Sequence, residues 1–466
     1  MKKIAFFCIP AHGHTNPMLP VAAELVKRGN AVRFYSFNEF ETKITATGAE
    51  FISCDAYLPS LTEQEEAGLK NVSTTEMTIQ DIRITLSMNN FLDEEFKTFR
   101  PDVVYTDSVC FWGKLNAWKH DVPVVVSTST FAFNQMSSQY MKNSPKEIAG
   151  LLFGLPRVSR ELNKLKVYGF KVKGLFSLIQ SDNDTDSVVY TSKHFQPYSE
   201  SFSSHYLFAG PSVHSEHQPK KTERPLVYVS MGTVINDRPD FYSKCIDAMR
   251  GENVDLIISC GNAVDIASLG ELPKNVKVFP YVNQMEVLSK ASVFITHCGM
   301  NSVSESLYME TPMVLYPQTN EQAAVARRVT EIGAGMMLKD DSADNIRKAV
   351  HDLIQTESYI KAARECAEDF RNCPGIVGAA DFVENAPHKS AGMDVMKQLT
   401  KANVLAQVGY NIISVLLAIL IFHFASPEFI WIYVVLAIML SFPVKNWAQN
   451  ASYKRLIRKY GPEGKI

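Results

Sequence analysis

Twice along this chain, short apolar runs rich in β-branched and aromatic residues alternate with longer stretches of helical periodicity, and a proline-rich segment divides the two series. Parallel strands need a crossover, and a helix can supply it while burying its apolar stripe against the sheet. The expected class is therefore α/β, with two doubly wound, Rossmann-like units. Strands of the first series are KKIAFFCI, AVRFYS, DVVYT ending at Asp107, and VPVVVS ending at Ser127. The first helix is expected to open at Asn16 and Pro17, good N-cap and N1 residues, and to end before Gly29. Strands of the second series are LVYVS, VDLIIS, VKVFPY, SVFITH and PMVLYP, with helices near 239–250, 301–309, 320–332 and 343–355. Helical periodicity then runs from Ser358 to Val383, toward the first unit or beyond it.

The chain of 466 residues is long enough for two domains with a cleft between them. We divide it into a first unit, 1–210; a linker, 211–224; a second unit, 225–385; a second linker, 386–401; an uncharged stretch, 402–444; and a basic tail, 445–466. The opening MKKIAFFCIP has too short an apolar run for a signal peptide and is expected to be a buried strand. No charged residue occurs from Ala402 to Pro427, and a second uncharged run extends from Phe429 to Val444. The first run can span a hydrocarbon core of about 30 Å, so a hydrophobic helical hairpin in a membrane is expected. Lys397 and Lys401 precede it, while Lys445, Lys454, Arg455, Arg458 and Lys459 follow it, which places both ends and the folded units on the cytoplasmic side.

Lys and Arg number 47 against 49 Asp and Glu, so no global field exists to hold a polyanion, and nucleic acid is not an expected partner. The eight cysteines are scattered without a CxxC, which signals neither a disulfide framework nor a zinc site.

Three segments carry chemistry. AHGHTNP, residues 11–17, follows the first strand, at the edge where open α/β sheets bind ligands. An imidazole there can take a proton from a hydroxyl, and His14 is better placed for this than His12. Asp107 ends another strand of the same sheet, and its carboxylate can orient and charge-stabilise such an imidazole. A packed or capping histidine, and an aspartate capping a turn, stay open at this stage. The third segment is 293–322, VFITHCGMNSVSESLYMETPMVLYPQTNEQ, in which a strand ends at His297, a turn uses Gly299 and a helix begins near Asn301 or Ser302. Free N–H groups and the positive end of the helix dipole make a phosphate site there, although neither GxGxxG nor GxxxxGK[ST] is present. The cluster SDNDTDS, 181–187, contains DxD patterns, but it fails as an EF-hand loop and reads as a polar loop rather than a metal site.

These residues together resemble the family 1 glycosyltransferases that use UDP-sugars, with the closest likeness to bacterial macrolide-type enzymes over about residues 1–385. The resemblance implies the GT-B architecture, two Rossmann-like domains facing a cleft, and an inverting transfer that needs no metal or other cofactor. It implies His14 as catalytic base and Asp107 as its partner. His297, Gly299, Asn301 and Ser302 match phosphate contacts, with Ser230 and Thr233 lining the same side, and Glu305 matches the residue that holds the ribose hydroxyls. Tyr281, where many members have Trp, would stack on uracil, and Gln284 would reach the ribose. Glu321 and Gln322 stand where many members have Asp-Gln for the sugar hydroxyls. The expected partners are a UDP-sugar, a small hydrophobic acceptor or lipid, and a membrane. Phe91, Phe131, Phe133, Met136 and Phe153 are candidate acceptor walls. An epimerase of similar form and a non-catalytic nucleotide-sugar binder are the alternatives.

Overall fold

A computed structural model describes residues 1–60, 73–141, 145–172, 184–213, 217–233 and 236–389, together with single residues and short runs between 404 and 458. Two parallel sheets organise it, one before and one after the 211–224 segment. The first contains β1 (Lys3–Phe7), β2 (Ala31–Ser36), β3 (Glu50–Ser53), β4 (Val103–Asp107), β5 (Val124–Thr128), β6 (Asp186–Val189) and β7 (Tyr206–Phe208). Its order is β3-β2-β1-β4-β5-β6-β7. The second contains β8 (Leu226–Ser230), β9 (Asp255–Ser259), β10 (Val276–Phe279), β11 (Val293–Thr296), β12 (Met313–Leu315) and β13 (Gly335–Met337), in the order β10-β9-β8-β11-β12-β13.

The strand order reverses between β1 and β4 in the first sheet and between β8 and β11 in the second. At such a switch point the connections on either side leave in opposite directions, and a crevice opens beyond the strands' C-terminal ends. Pairing runs from Ile4 with Val103 to Phe7 with Thr106, and from Val293 with Val227 to Thr296 with Ser230. Asp107 and Ser230 are the last residues of β4 and β8, and the segments that follow β1 and β11 hold His14 and His297.

Central strands are apolar on both faces because helices cover both: Ile4, Phe6, Phe7, Val103 and Val104 are all buried. The helices Pro239–Met249, Asn320–Glu331 and Ala343–Gln355 match their expected spans within a residue. The first helix does not. It runs His12–Lys27, with extended Ala11 as N-cap and both Pro17 and Pro20 inside. The Ala11 carbonyl accepts the amides of His14 and Thr15 at 3.0 and 2.9 Å, which starts the helix a turn before the Asn-Pro signal. His14 therefore stands in the first turn of the helix rather than ahead of it.

The chain also returns to its beginning. Helix Gly375–Glu384, at the end of the span assigned to the second unit, buries Ala379, Ala380 and Val383 in the core of the first. Full burial of a valine contributes roughly 1.5–3 kcal/mol. Arg28 fixes the orientation, donating to Asp381 at 2.6 Å and Glu384 at 2.7 Å, while Asn30 Nδ2 donates to Glu384 at 2.6 Å.

Among the described residues no helix is long and apolar enough to cross a membrane. The expected hairpin, 402–444, lies largely outside the described residues.

Candidate active site

At the first switch point, His14 Nδ1 meets Asp107 Oδ2 at 2.8 Å and Ser129 Oγ at 3.2 Å. Asp107 is fully buried, and its other oxygen accepts the Val109 amide at 3.0 Å, so the carboxylate is held at both ends. The imidazole keeps 27% of its surface exposed, enough for a ligand to reach it. Burial opposes charging of this ring, but the charge and hydrogen bond of Asp107 outweigh it, helped by Glu321 and Asp81, and the pKa is raised above 6.5. A hydrogen bond from Nδ1–H to Asp107 selects the tautomer whose Nε2 lone pair is free to accept a proton.

Ser129 and Asp81 are additions that sequence reasoning missed. Ser129 follows β5 by one residue, and the strand-end rule that found Asp107 reaches it too. Asp81 lies on helix Thr74–Ser87, between the strands expected at AVRFYS and DVVYT, where no motif marks it. Its carboxyl is pushed well above the usual carboxylate range, first by burial and then by the charge of Asp107. His12, the less favoured histidine, pairs with Glu39 at 2.9 Å, away from the dyad's partners.

The second switch point gathers the donor candidates. Gly299 is the N-cap of helix Met300–Tyr308, with extended backbone. The His297 ring fills the space beside Gly232 and Gly299: a Cβ on either would come within 2.5 Å of Nε2. Gly232 also has φ +82°, in the region that favours glycine. Desolvation, opposed by the Ser230 backbone, lowers the His297 pKa to about 4, so the ring is neutral at pH 7, and its buried Nδ1 has no partner among the described residues.

One turn into the helix a polar chain runs through three expected ribose and phosphate residues. Tyr228 OH donates to Gln284 Oε1 at 3.1 Å, and Gln284 Nε2 reaches Glu305 Oε2 at 2.6 Å and Ser302 Oγ at 3.3 Å. Burial raises the Glu305 pKa, and the Gln284 amide acts against that shift. Ser230 is buried at the end of β8, whereas Thr233 is exposed in the loop that follows. Tyr281 is 83% exposed, a bare ring face with room for a base to stack.

Other expected residues have competing engagements. Asn301 Nδ2 donates to the carbonyl of Gly13 in the first unit at 3.1 Å. Gln322 Oε1 accepts the Gln318 amide at 2.8 Å and its own amide donates to Thr319, so its carbonyl closes the helix start; Glu321 is exposed. Among the proposed acceptor walls, Phe131 and Met136 are buried, and Phe131 packs with Phe195 in a cluster shared with the second unit. Phe131 is core, since it helps to seal the contact between units, and Met136 is buried. Phe133 packs partly on that cluster, Phe91 stacks on Tyr57, and Phe153 is exposed.

The DxD cluster is partly outside the described residues, which begin again at Asp184. Asp186 is buried and saturated, bonded to His205 Nδ1 at 2.6 Å and the His388 amide at 2.8 Å. No group of potential metal ligands occurs among the described residues.

Comparison with known proteins adds an independent line. Residues 246–381 match the family described as erythromycin biosynthesis protein CIII-like, C-terminal domain. The NDP-glycosyltransferase YjiC of Bacillus licheniformis is 32% identical over 396 residues, covering 82% of this chain and 97% of the relative. Oleandomycin glycosyltransferase of Streptomyces antibioticus is 28% identical over 397 residues, covering 82% of this chain and 90% of the relative. Among solved structures, the glycosyltransferase of kitacinnamycin superposes with a TM-score of 0.70 at 25% identity, covering 82% of this chain and 98% of that one.

Proposed function

Because the chain belongs to the bacterial family 1 glycosyltransferases of macrolide type, we propose that it transfers a hexose, glucose, from a UDP-sugar to a hydroxyl of a hydrophobic acceptor such as a macrolide, polyphenol or lipid. The observation that carries this reading is the 2.8 Å contact between His14 and buried Asp107 at the edge of the cleft. With Nδ1–H donated to Asp107, Nε2 takes the proton of the acceptor hydroxyl as its oxygen attacks the anomeric carbon. The bond from that carbon to the diphosphate oxygen breaks with its electron pair, UDP leaves, and attack from the opposite face inverts the centre. Asp107 stabilises the imidazolium that results.

Donor binding falls to the second unit in this reading. Ser230, Thr233, His297, Gly299, Asn301 and Ser302 serve the diphosphate, at a helix N-terminus that favours negative charge as it develops. Tyr281 stacks on uracil, Gln284 and Glu305 hold the ribose, and Glu321 with Gln322 serves the sugar hydroxyls. Neutral donors and a helix end suffice for the charge, so no metal is needed.

The test is His14→Ala with UDP-glucose and a panel of apolar alcohols. Transfer should fall at least about a hundredfold with UDP affinity kept. Unchanged turnover would remove His14 from the mechanism, and chelator inhibition reversed by Mn²⁺ would require a metal. An epimerase or a non-catalytic binder gains no support from these relatives, which are named as glycosyltransferases. UDP release that depends on acceptor separates the three.

The reading extends to the tail: a hydrophobic hairpin at 402–444 tethers the enzyme to a membrane, with the catalytic units on the cytoplasmic side. Its support is the uncharged sequence from Ala402 to Pro427 and the basic residues at both flanks. Removal of everything after Lys389 should release a soluble protein that still binds UDP. Aggregation of the truncated chain would make the segment part of the enzyme's core.

A further inference from the structure

One described surface has no part in sugar transfer. Trp447, Ala451, Lys454, Arg455 and Arg458 are helical, exposed, and recur at three- and four-residue spacing, which places them on one face. The opposite side is attached to the first unit. Tyr453 OH donates to Glu200 Oε2 at 2.8 Å, its ring meets Tyr198 edge-on at 5.4 Å, and Asn450 Nδ2 donates to Gln139 Oε1 at 3.4 Å. The basic segment is thus a docked element with a defined outer face.

That face carries three cations with no acidic partner among the described residues, and with Ala451 they line a concavity of about 460 Å³. The stretch from Phe429 to Pro462 contains no Asp or Glu, so the basic helix itself supplies no carboxylate to these three cations. A second feature accompanies the charge. Val404, Val408, Ile412, Leu416 and Ile419 form a stripe at four- and three-residue spacing, each at least half exposed. A soluble polyanion would satisfy the cations but leave Trp447 and this stripe in water. A bilayer containing anionic phospholipid satisfies all of them: phosphates meet Lys and Arg, the indole sits at the headgroup level, and acyl chains take the aliphatic side chains.

We propose that the face formed by Trp447, Lys454, Arg455 and Arg458 binds the headgroups of anionic phospholipids and holds the first unit against the bilayer. This rests on the membrane-tether reading above and adds to it a lipid preference and a fixed attachment. Gln139 belongs to the turn Ser137–Tyr140, and the Tyr140 carbonyl is held by Arg327 of the second unit. The docked helix therefore lies beside the seam between the two units.

The experiment is flotation of the full chain with vesicles of phosphatidylcholine, alone or mixed with phosphatidylglycerol. Partitioning into anionic vesicles should be about a hundredfold stronger, from roughly fivefold per cation, and should weaken as salt is raised. The triple variant K454Q/R455Q/R458Q should bind both vesicle types alike while transfer to a water-soluble acceptor is unchanged, which also shows that it folds. A triple variant that keeps the anionic preference overturns the proposal, as does a wild-type preference that ignores salt. Equal wild-type binding to both vesicle types leaves the tether standing and sinks the headgroup site. Binding to neither sinks both.

Discussion

Asn301 donates its side-chain amide to the backbone carbonyl of Gly13 at 3.1 Å, and Pro17 is the reason that carbonyl is free to accept. In a helix the Gly13 carbonyl would receive the amide four residues on, but residue 17 is proline and has none. A residue at the start of helix Met300–Tyr308 in the second unit thereby holds the turn that carries His14. The net worth of such a bond is about 1 kcal/mol. Asn301→Ala should speed hydrogen exchange at His14 and Thr15 about fivefold in the unliganded protein, measured by mass spectrometry or NMR. Unchanged protection would mean that the contact constrains nothing.

Asp107 raises the His14 pKa, and an imidazole in the proposed role of base works only when neutral, so activity should fall as pH drops through a midpoint above 6.5. Asp107→Asn removes the charge that stabilises the imidazolium. The midpoint of log kcat/KM against pH should move down, toward or below 6.5, while the plateau falls because the tautomer is no longer held. A loss of rate with no movement of the midpoint, tracking a fall in Tm, would make Asp107 a structural residue.

Asp81 acts on the same ring from a different helix. When ionised, Asp81 helps to raise the His14 pKa, while burial and the charge of Asp107 disfavour that ionisation. Asp81→Asn should shift the acid limb to lower pH and leave the plateau within about threefold. It should not lower Tm, since the replacement removes a buried like-charge neighbour. An unmoved acid limb would show that Asp81 is protonated throughout the working range.

His297 gives a stability signature instead. Its folded-state pKa is lowered to about 4 against roughly 6.5 when unfolded. The unfolded chain binds the extra proton between these values, so the contribution is complete above pH 6.5 and is lost as pH falls toward 4. Between pH 7 and pH 5 the wild type should lose about 2 kcal/mol more than His297→Gln, compared by urea unfolding at each pH. Equal losses would mean that the ring is solvated and its Nδ1 is not orphaned.

Much of this molecule is readable along the chain. β1, β4, β8 and β11 are buried on both faces, so their apolar runs are nearly continuous and their ends name the ligand edge. β3, β6, β7 and β13 escaped, being three or four residues long and including Glu50, Asp186 and Gly335. Asn16-Pro17 is a sound local cap signal, yet the helix starts earlier, because the Ala11 carbonyl captures two amides and Asn301 satisfies the carbonyl that the proline leaves open.

By itself the sequence determined the fold class, the strands that end at the two switch points and the residue types that stand there, because burial on a sheet and the start of a helix are recorded in consecutive residues. Only the tertiary structure decided that Ser129 and Asp81 join Asp107 around His14, that Tyr228 orients Gln284 toward Glu305, and that Asn301 reaches Gly13 rather than standing free. Those partners lie tens to hundreds of residues apart. Which side chains meet across a cleft is set by how two sheets pack and where the chain crosses back through Gly375–Glu384, and no local periodicity encodes that.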